Sequence, residues 1–189
     1  MAREMVRQGG RSARIQKEVH AAVRTLLEKL ERGALTVPMI AELAGVTPST
    51  IYRRWGDLGQ LLADVAVERL RPIADPDDTG ATASDLEAFV LQYVEEMSSK
   101  VGRAVLRDVL AEEGEDAAAR CCQYTYDHLG VIARRAVARG ETPFDVAEVV
   151  DRVIAPVIYH ILFRDREATE EYCRRLLAEV PMEAGRKAA

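Results

Sequence analysis

The sequence has few cysteines, few aromatic residues and no long apolar run. Its three cysteines among 189 residues form no spaced framework, which argues against a disulfide-stabilised secreted domain and favours a reducing compartment. No apolar run approaches the roughly 20 residues that a membrane-spanning helix needs. The basic N-terminus has no apolar stretch behind it, so a secretory signal is not expected. These absences predict a cytoplasmic protein without a membrane partner.

Helix-favouring residues dominate the composition. Ala, Leu, Glu and Arg are abundant, whereas aromatic residues account for only 5% of the chain. Hydrophobic residues reach 48% and charged residues 30%, as in a globular protein with a substantial core. The sequence shows neither an internal repeat nor strand-like alternation of apolar residues, so an all-α fold is predicted.

The charge is distributed unevenly along the chain. The net charge is −5, but residues 1–55 contain ten Lys or Arg and five Asp or Glu. The remaining residues carry 16 basic and 26 acidic side chains, so an acidic body follows a basic head. This asymmetry predicts that the head binds a polyanion and that the body does not.

Capping residues, glycines and prolines divide the chain into about nine predicted helices. These helices cover about residues 12–32, 36–44, 47–56, 57–71, 84–99, 103–112, 117–139, 142–163 and 168–179. Ser84 and Glu87 form a capping-box pattern at the start of the fifth helix. Residues 72–83 contain two prolines, a glycine and three aspartates, so they predict a loop that separates the small head from the body.

The stretch Thr36–Leu62 has the layout of a helix-turn-helix, in which the second helix reads the major groove of DNA. Gly45 allows the left-handed turn between the helices, and Val46 and Ile51 can pack the second helix onto the first. The exposed face then carries hydroxyls, a phenol and guanidinium groups, which suit phosphates and base edges. The predicted DNA-contacting residues are Thr36, Thr47, Ser49, Thr50, Tyr52, Arg53 and Arg54.

This stretch resembles the DNA-binding domain of the tetracycline-repressor (TetR) family of regulators. The resemblance is carried by Thr36, Ile40, Ala41, Ala44, Gly45, Val46, Thr50, Ile51, Tyr52, Trp55 and Leu61. Ser49 and Trp55 stand where the family commonly has glycine and phenylalanine. Leu58 stands where it often has a lysine that contacts phosphate, so Arg53 and Arg54 are candidates to supply that charge. We therefore assign residues 1–56 to a DNA-binding domain and residues 57–189 to a helical regulatory and dimerisation domain.

The predicted eighth helix is apolar around most of its circumference, and it contains Pro156, which should kink it. Such a helix either is central to one chain or lies in an interface. In the family that the chain resembles, the last two helices pack against their counterparts in a symmetric dimer. The expected homodimer interface includes Val149, Val153, Val157, Ile158, Ile161 and Leu176, and the alternative is a buried helix in a monomer.

Seven residues on the predicted fifth to seventh helices are spaced so that they can face inward together: Phe89, Tyr93, Met97, Leu106, Cys122, Tyr126 and Leu129. Leucine would pack a dry core as well as tyrosine or methionine does. A mostly apolar pocket with a few polar groups is the usual form of a small-ligand site. We therefore expect a hydrophobic or aromatic effector in contact with Tyr93, Met97 and Tyr126, and the alternative is ordinary core.

Adjacent Cys121 and Cys122, with His128 further along the same helix, also fit a soft-metal or redox sensor. Neighbouring side chains diverge by about 100° on a helix, so buried, unreactive thiols are the opposing interpretation. No catalytic or cofactor-binding pattern is visible, so neither an enzyme nor a bound cofactor or metal is expected. The sequence predicts a repressor that a small molecule releases. The alternatives are a thiol- or metal-responsive regulator and a helical interaction protein without DNA binding.

Overall fold

The computed structural model describes residues 7–111, 116–163 and 168–181, and every regular element within these ranges is helical, as predicted. The helices are α1 (Arg7–Leu27), α2 (Val37–Ala44), α3 (Pro48–Trp55), α4 (Leu58–Leu70), α5 (Thr82–Ser98), α6 (Lys100–Leu110), α7 (Asp116–Ala138), α8 (Val146–Val149), α9 (Ala155–Phe163) and α10 (Glu170–Ala178). A 3-10 turn (Arg32–Ala34) follows α1, and a π-helical turn (Val150–Ile154) connects α8 to α9. In the described part of the chain, no helix has the length and apolar character needed to cross a membrane.

Local signals set the end of α2 and the starts of α3 and α4 as predicted. Gly45 adopts the left-handed conformation after α2, with φ of 66°, and Pro48 occupies the first position of α3. The Asp57 side chain accepts a hydrogen bond from the N–H of Gln60 at 2.9 Å and so begins α4. Each signal acts on groups a few residues away, which is why the sequence alone predicts these boundaries.

Helix α4 belongs to two cores. Its first face joins α1, α2 and α3 in a head core formed by Val19, Ala22, Val23, Leu35, Val37, Ile40, Ala41, Ile51, Trp55, Leu61, Leu62 and Val65. Its opposite face contacts α6 and α7 in a second cluster of Ala63, Ala66, Val67, Val105, Val109 and Ala117. Helix α4 is therefore packed against the head on one side and against the body on the other.

The body packs α5 and α7 around the C-terminal helices, and α6 crosses the end of α5 at Gly102. A Cβ atom at Gly102 would lie 2.7 Å from the Cα atom of Met97 and 2.9 Å from its carbonyl oxygen. Only glycine lets the two backbones approach this closely. The crossing brings α6 beside the side chains of α5 that face the interior of the body.

Helix α5 begins earlier than predicted, at Thr82. The N–H of Thr82 donates to the carboxylate of Glu141 at 2.7 Å, so a residue that follows α7 supplies the cap. The predicted capping box does not form, because the Ser84 hydroxyl donates to the Ala81 carbonyl at 3.1 Å and Glu87 pairs with an arginine of α10. A cap supplied from 59 residues away has no local sequence signal.

The predicted eighth helix is not a single α-helix. It begins at Val146, after Asp145 accepts a hydrogen bond from the N–H of Ala147 at 2.8 Å, rather than at Thr142. The π-helical turn ends just before Pro156, whose ring nitrogen carries no hydrogen to donate. The α-helical hydrogen bonding is therefore interrupted in the turn that precedes this proline.

Four further boundaries differ by a few residues. Helix α1 begins at Arg7 instead of near residue 12 and ends at Leu27 instead of near residue 32. Helix α6 begins at Lys100 instead of near residue 103, and α10 begins at Glu170 instead of near residue 168. Residues 112–115 of a predicted turn, and the basic Arg3, lie outside the described residues.

Candidate functional site

Helices α2 and α3 form the predicted helix-turn-helix. The N–H of Val46 donates to the carbonyl of Ala41 at 2.9 Å and closes the turn after α2. Ile40 and Ile51 are fully buried in the core that joins the two helices. Helix α3 is therefore held on α2 by one face, and its other face lies at the surface.

The exposed face of α3 carries hydroxyls, a phenol and an arginine. Thr47, Ser49, Tyr52 and Arg53 are exposed, and the exposed fraction of Tyr52 is 50%. The Thr47 hydroxyl lies 2.9 Å from the Ser49 hydroxyl and 3.0 Å from the Thr50 hydroxyl. These hydroxyls lie together at the N-terminal end of α3, where free N–H groups attract phosphate. The arrangement suits contacts to the DNA backbone and to base edges.

The remaining predicted DNA-contacting residues have different surroundings. Thr36 is exposed at the start of α2. Arg54 is half-buried, because it donates to the Ser12 hydroxyl of α1 at 2.9 Å and lies 5.1 Å from the centre of the Trp55 ring. Leu58 packs against the head core. Arg53 is therefore the exposed cation of α3, whereas Arg54 stabilises the contact of α3 with α1.

A cavity of about 720 Å³ lies in the body between α5, α6, α7 and the loop that follows α4. Three of the predicted ligand residues, Phe89, Tyr93 and Met97, line it from α5. The wall that α7 supplies consists of Cys121, Tyr124, Thr125 and His128. The three residues predicted on α5 therefore share one lining with residues of α7 that were not predicted.

Four of the predicted ligand residues do not line this cavity. Leu106 and Leu129 are buried in the body core, whereas Cys122 and Tyr126 are exposed, Tyr126 by 39%. The prediction used the wrong face of α7: the wall begins at Cys121 rather than Cys122. A shift of one residue rotates a helix face by about 100°, and apolar spacing alone did not distinguish the two phases.

The inner part of the cavity is aromatic and uncharged. The ring centres of Phe89 and Tyr93 lie 6.1 Å apart. The ring centres of Phe89 and His128 lie 5.6 Å apart, and the two rings are nearly perpendicular. Nε2 of His128 lies 3.2 Å from the carbonyl oxygen of Ala74, to which it donates. Burial raises the pKa of the Tyr93 phenol, whose partner is the Thr125 hydroxyl. The phenol stays neutral and can hydrogen-bond to a ligand.

The two cysteines of α7 differ in exposure, because Cys121 is half-buried and Cys122 is exposed. Burial is the main cause that raises the pKa of the Cys121 thiol to about 11, and the neighbouring Cys122 raises it further. A thiol reacts as its thiolate, so Cys121 is poorly suited to redox sensing at neutral pH. Within the described ranges, no three His, Cys, Asp or Glu side chains are grouped closely enough to hold a metal ion.

Most of the predicted dimer residues are enclosed by their own chain. Val149, Val153, Val157 and Ile161 are buried in the body core, so they cannot contact a partner surface, while Ile158 and Leu176 are half-buried at its edge. The prediction included residues of the buried face, because both faces of this stretch are apolar. The exposed apolar residues are Tyr159 (57%) and Phe163 (71%), whose rings lie 5.3 Å apart.

Sequence reasoning missed two groups of residues near these sites. The first is the loop of residues 71–77, which borders the cavity and reads in the sequence only as a connection. The second is a cluster around Asp64 that joins the head to α7. No local spacing marks either group, because their members come together from distant parts of the chain.

Comparisons with known proteins agree with this geometry. Residues 76–180 match the family model of the tetracyclin repressor-like C-terminal domain. The chain is 27% identical over 175 residues to the HTH-type transcriptional regulator Mb1581 of Mycobacterium bovis. The aligned region covers 87% of this chain and 85% of that protein. It is 25% identical over 160 residues to the HTH-type transcriptional regulator YdeS of Bacillus subtilis, and that alignment covers 78% of this chain and 79% of the relative.

A solved structure shares the fold. The crystal structure of the TetR family transcription regulator SCO0332 superposes with a TM-score of 0.64 at 24% identity, over 87% of this chain and 94% of that chain. The family model covers more than half of the sequence, and the relatives with helix-turn-helix names match over most of their own length. The chain belongs to the TetR family and is a DNA-binding transcriptional regulator.

Proposed function

We propose that this regulator is a cytoplasmic repressor, which binds operator DNA as a homodimer and releases it when a small, largely apolar molecule enters the body cavity. The observation that carries the proposal is the combination of an exposed, hydroxyl- and arginine-bearing α3 with a separate cavity in the same chain. Helix α4, which packs against both regions, provides a physical connection between them. In this proposal the head is residues 1–56 and the body is residues 57–189.

The proposed DNA contacts are made by the exposed face of α3. Thr47, Ser49 and Thr50 bond phosphate oxygens near the start of the helix, and Tyr52 and Arg53 reach the groove from the next turn. Their exposure and the ordered hydroxyls at the helix start support this assignment. Thr36 is a further candidate for a phosphate contact at the start of α2. Arg54 instead acts indirectly, through Ser12 and Trp55.

The proposed effector is a neutral aromatic or hydrophobic molecule. The cavity volume of about 720 Å³ falls within the range of about 300–1,000 Å³ that small-molecule sites occupy. Phe89 and Met97 offer apolar contact area, and the Tyr93 hydroxyl offers one polar contact. The charged lining residues are all exposed, so a charged end of the ligand would lie at the mouth: Arg69, Arg71, Asp75, Asp77 and Glu96. Burying a charge at the inner end would carry a large desolvation cost.

The proposed dimer forms through the exposed apolar face of α9. Tyr159 and Phe163 lie on successive turns of one helix face and expose large rings to solvent. Exposed apolar area of this kind marks an interaction surface, and homo-oligomers of soluble proteins are most often twofold-symmetric dimers. The half-buried Ile158 borders the same surface.

The DNA assignment can be tested with an operator fragment selected from the source genome by binding to the purified protein. The double variant Tyr52→Ala, Arg53→Ala should lose about ten-fold or more in affinity, because each side chain contacts DNA. Loss of the arginine should also flatten the salt dependence by about one unit of slope. Arg134→Ala on α7 is the matched control, since Arg134 is exposed and far along the chain from the head.

Circular dichroism should show the same helix content for both variants. Wild-type affinity in the double variant would contradict the assignment of α3 to the DNA interface. In a separate experiment, compounds that release the selected fragment from the wild-type protein would identify the chemical class of the effector.

A further inference from the structure

Asp64 of α4 accepts hydrogen bonds from side chains of three other helices. Its Oδ2 atom lies 2.9 Å from the indole Nε1 of Trp55, 3.0 Å from Nε2 of His20 and 3.3 Å from the amide of Gln16. Its Oδ1 atom accepts hydrogen bonds from both terminal nitrogens of Arg120, at 3.2 Å and 3.1 Å. One carboxylate therefore joins α1, the end of α3, α4 and α7.

The two oxygens of Asp64 face different parts of the protein. Oδ2 binds the head, where Trp55 is the last residue of α3 and His20 is buried against it with ring centres 6.0 Å apart. Oδ1 binds the body through Arg120, which directly precedes the cavity-lining Cys121 on α7. Tyr124, another wall residue, lies one turn further along that helix.

The carboxylate is held in its ionised form. Burial by itself raises the pKa of Asp64, but the hydrogen bonds from His20 and Trp55, together with the charges around it, outweigh burial and lower the pKa. An ionised carboxylate accepts several hydrogen bonds at once, including charge-assisted ones from arginine. The connection between the two parts therefore persists at neutral pH.

We propose that Asp64 is a positioning residue for the recognition helix α3, and that Arg120 transmits the position of the cavity wall on α7 to it. A displacement of α7 moves Arg120, changes its hold on Oδ1, and alters how Oδ2 holds Trp55 at the end of α3. This inference rests on the proposed roles of α3 and of the cavity. An occupant of the cavity controls DNA binding by this route only if it stabilises the displaced position of α7.

Arg120 can be changed without dismantling the head. Its side chain is 50% exposed and lies outside the apolar core of the head, whereas the Asp64 side chain is only 16% exposed. Removing the Asp64 carboxylate would leave the buried indole N–H and imidazole short of a partner, which is costly. Arg120→Gln is therefore the informative variant, because it breaks the connection from the body side.

The test measures the affinity of Arg120→Gln for the selected operator fragment at several salt concentrations, together with fluorescence from Trp55, the single tryptophan of the chain. We expect the affinity to fall about five-fold or more, as is typical of coupling between sites. The salt slope should stay at the wild-type value, because no phosphate contact is lost. The Trp55 emission should shift, since the carboxylate that holds the indole has lost its second anchor.

Two further variants sharpen the test. Arg120→Lys keeps the charge but not the contact of two nitrogens with Oδ1, so it should recover part of the affinity. Arg134→Gln removes an exposed arginine from the same helix and should leave affinity and emission unchanged. The double variant Asp64→Asn, Arg120→Gln should have an operator affinity no lower than that of whichever single variant binds more weakly. The reason is that both changes break the same contact between Asp64 and Arg120.

Several outcomes would overturn the proposal. These are an affinity of Arg120→Gln equal to or higher than that of the wild type, an unshifted Trp55 emission, additive losses in the double variant, or a loss accompanied by a flatter salt slope. The last outcome would make Arg120 a direct DNA contact. Wild-type affinity in the Tyr52→Ala, Arg53→Ala variant would instead remove the proposed function, so the two failures are distinguishable.

Discussion

Arg139, which follows α7, donates a hydrogen bond to the fully buried carboxylate of Asp85 in α5 at 2.8 Å. The other oxygen of Asp85 accepts from the N–H and the hydroxyl of Thr79 at 2.7 Å and 2.6 Å. Arg139 also bonds Asp78 at 2.9 Å and Glu141 at 2.8 Å. This network fixes the loop before α5 against the end of α7, next to the Glu141 cap on Thr82.

The first prediction is that Asp85 makes stability depend on acid pH. Burial raises the pKa of its carboxyl, but the hydrogen bonds from Thr79 and Arg139 outweigh burial and lower the pKa below its usual 3.8. The unfolded chain therefore binds the proton more tightly than the folded chain. The stability that this group contributes is fully present above the unfolded pKa, and it is lost as the pH falls through the lower folded value.

Asp85→Asn should lower the free energy of unfolding by about 2 kcal/mol at neutral pH, as expected for a buried hydrogen bond to a charged group. The difference from wild type should shrink as the pH falls to about 4 and below. Urea unfolding at several pH values measures both effects. Asp75→Asn serves as the control, because Asp75 is exposed and lies 4.0 Å from its arginine partner. A pH-independent difference would contradict the assigned charge state of Asp85.

The second prediction is that Gly102 cannot be replaced without cost. The Cβ atom of Gly102→Ala would lie 2.7 Å from the Cα atom of Met97, and backbone atoms cannot rotate away as a side chain can. We expect a loss of about 1–3 kcal/mol in the free energy of unfolding, as for other overpacked sites. The shift of α6 should also narrow the cavity, since Gly102 and Met97 both line it.

Gly130→Ala is the matched control for Gly102→Ala. The contact of a Cβ atom at Gly130 is with the flexible end of Arg134, at 3.3 Å. Alanine in the middle of a helix is favoured over glycine by roughly 0.5–1 kcal/mol, so this variant should be as stable as the wild type or more so. Equal unfolding midpoints for the two variants would show that α5 and α6 do not cross as closely as described.

The third prediction concerns the face of α9 in the proposed dimer. Phe163→Asp and Tyr159→Asp should produce folded monomers, because each places a charge where an apolar partner surface would lie. Val137→Asp on α7 is the control, since Val137 is an exposed valine away from α9. Sedimentation of the three variants and the wild type at micromolar concentration measures the assembly state. A monomeric wild type, or a monomer produced equally by Val137→Asp, would contradict this interface.

The sequence predicted helix boundaries that depend on local residues, but it did not predict which face is buried in the apolar stretch before Phe163 or which face of α7 lines the cavity. Gly45, Pro48 and Asp57 act on backbone groups within a few residues, and the structure confirms the boundaries that they predicted. The buried Val153 and the exposed Tyr159 lie in one strongly apolar stretch, and composition could not tell which of its residues the chain itself covers. The same ambiguity moved the cavity wall on α7 by one residue.

Long-range polar contacts were beyond sequence reasoning for a different reason. Asp64 and Arg120 are 56 residues apart, and Thr82 and Glu141 are 59 residues apart. Neither partner stands out locally, because aspartate, arginine and glutamate are ordinary on helix surfaces. Only the packing of α4 against α7, and of α5 beside the end of α7, brings these groups within bonding distance.

The last prediction compares Tyr93, which lines the cavity, with Tyr126, which does not. Nile red, a neutral aromatic dye whose emission increases in apolar surroundings, should bind the wild-type protein through the cavity. Tyr93→Phe should weaken this binding about three- to ten-fold, the effect of losing one hydrogen bond inside a protein. Tyr126→Phe makes the same chemical change on the exposed face of α7, where the side chain does not line the cavity, and should leave dye affinity unchanged. Operator affinity without dye should stay at the wild-type value in both variants. Equal dye affinities for the two variants would place the binding site elsewhere, and a loss of operator affinity in Tyr93→Phe would show that Tyr93 supports the fold instead.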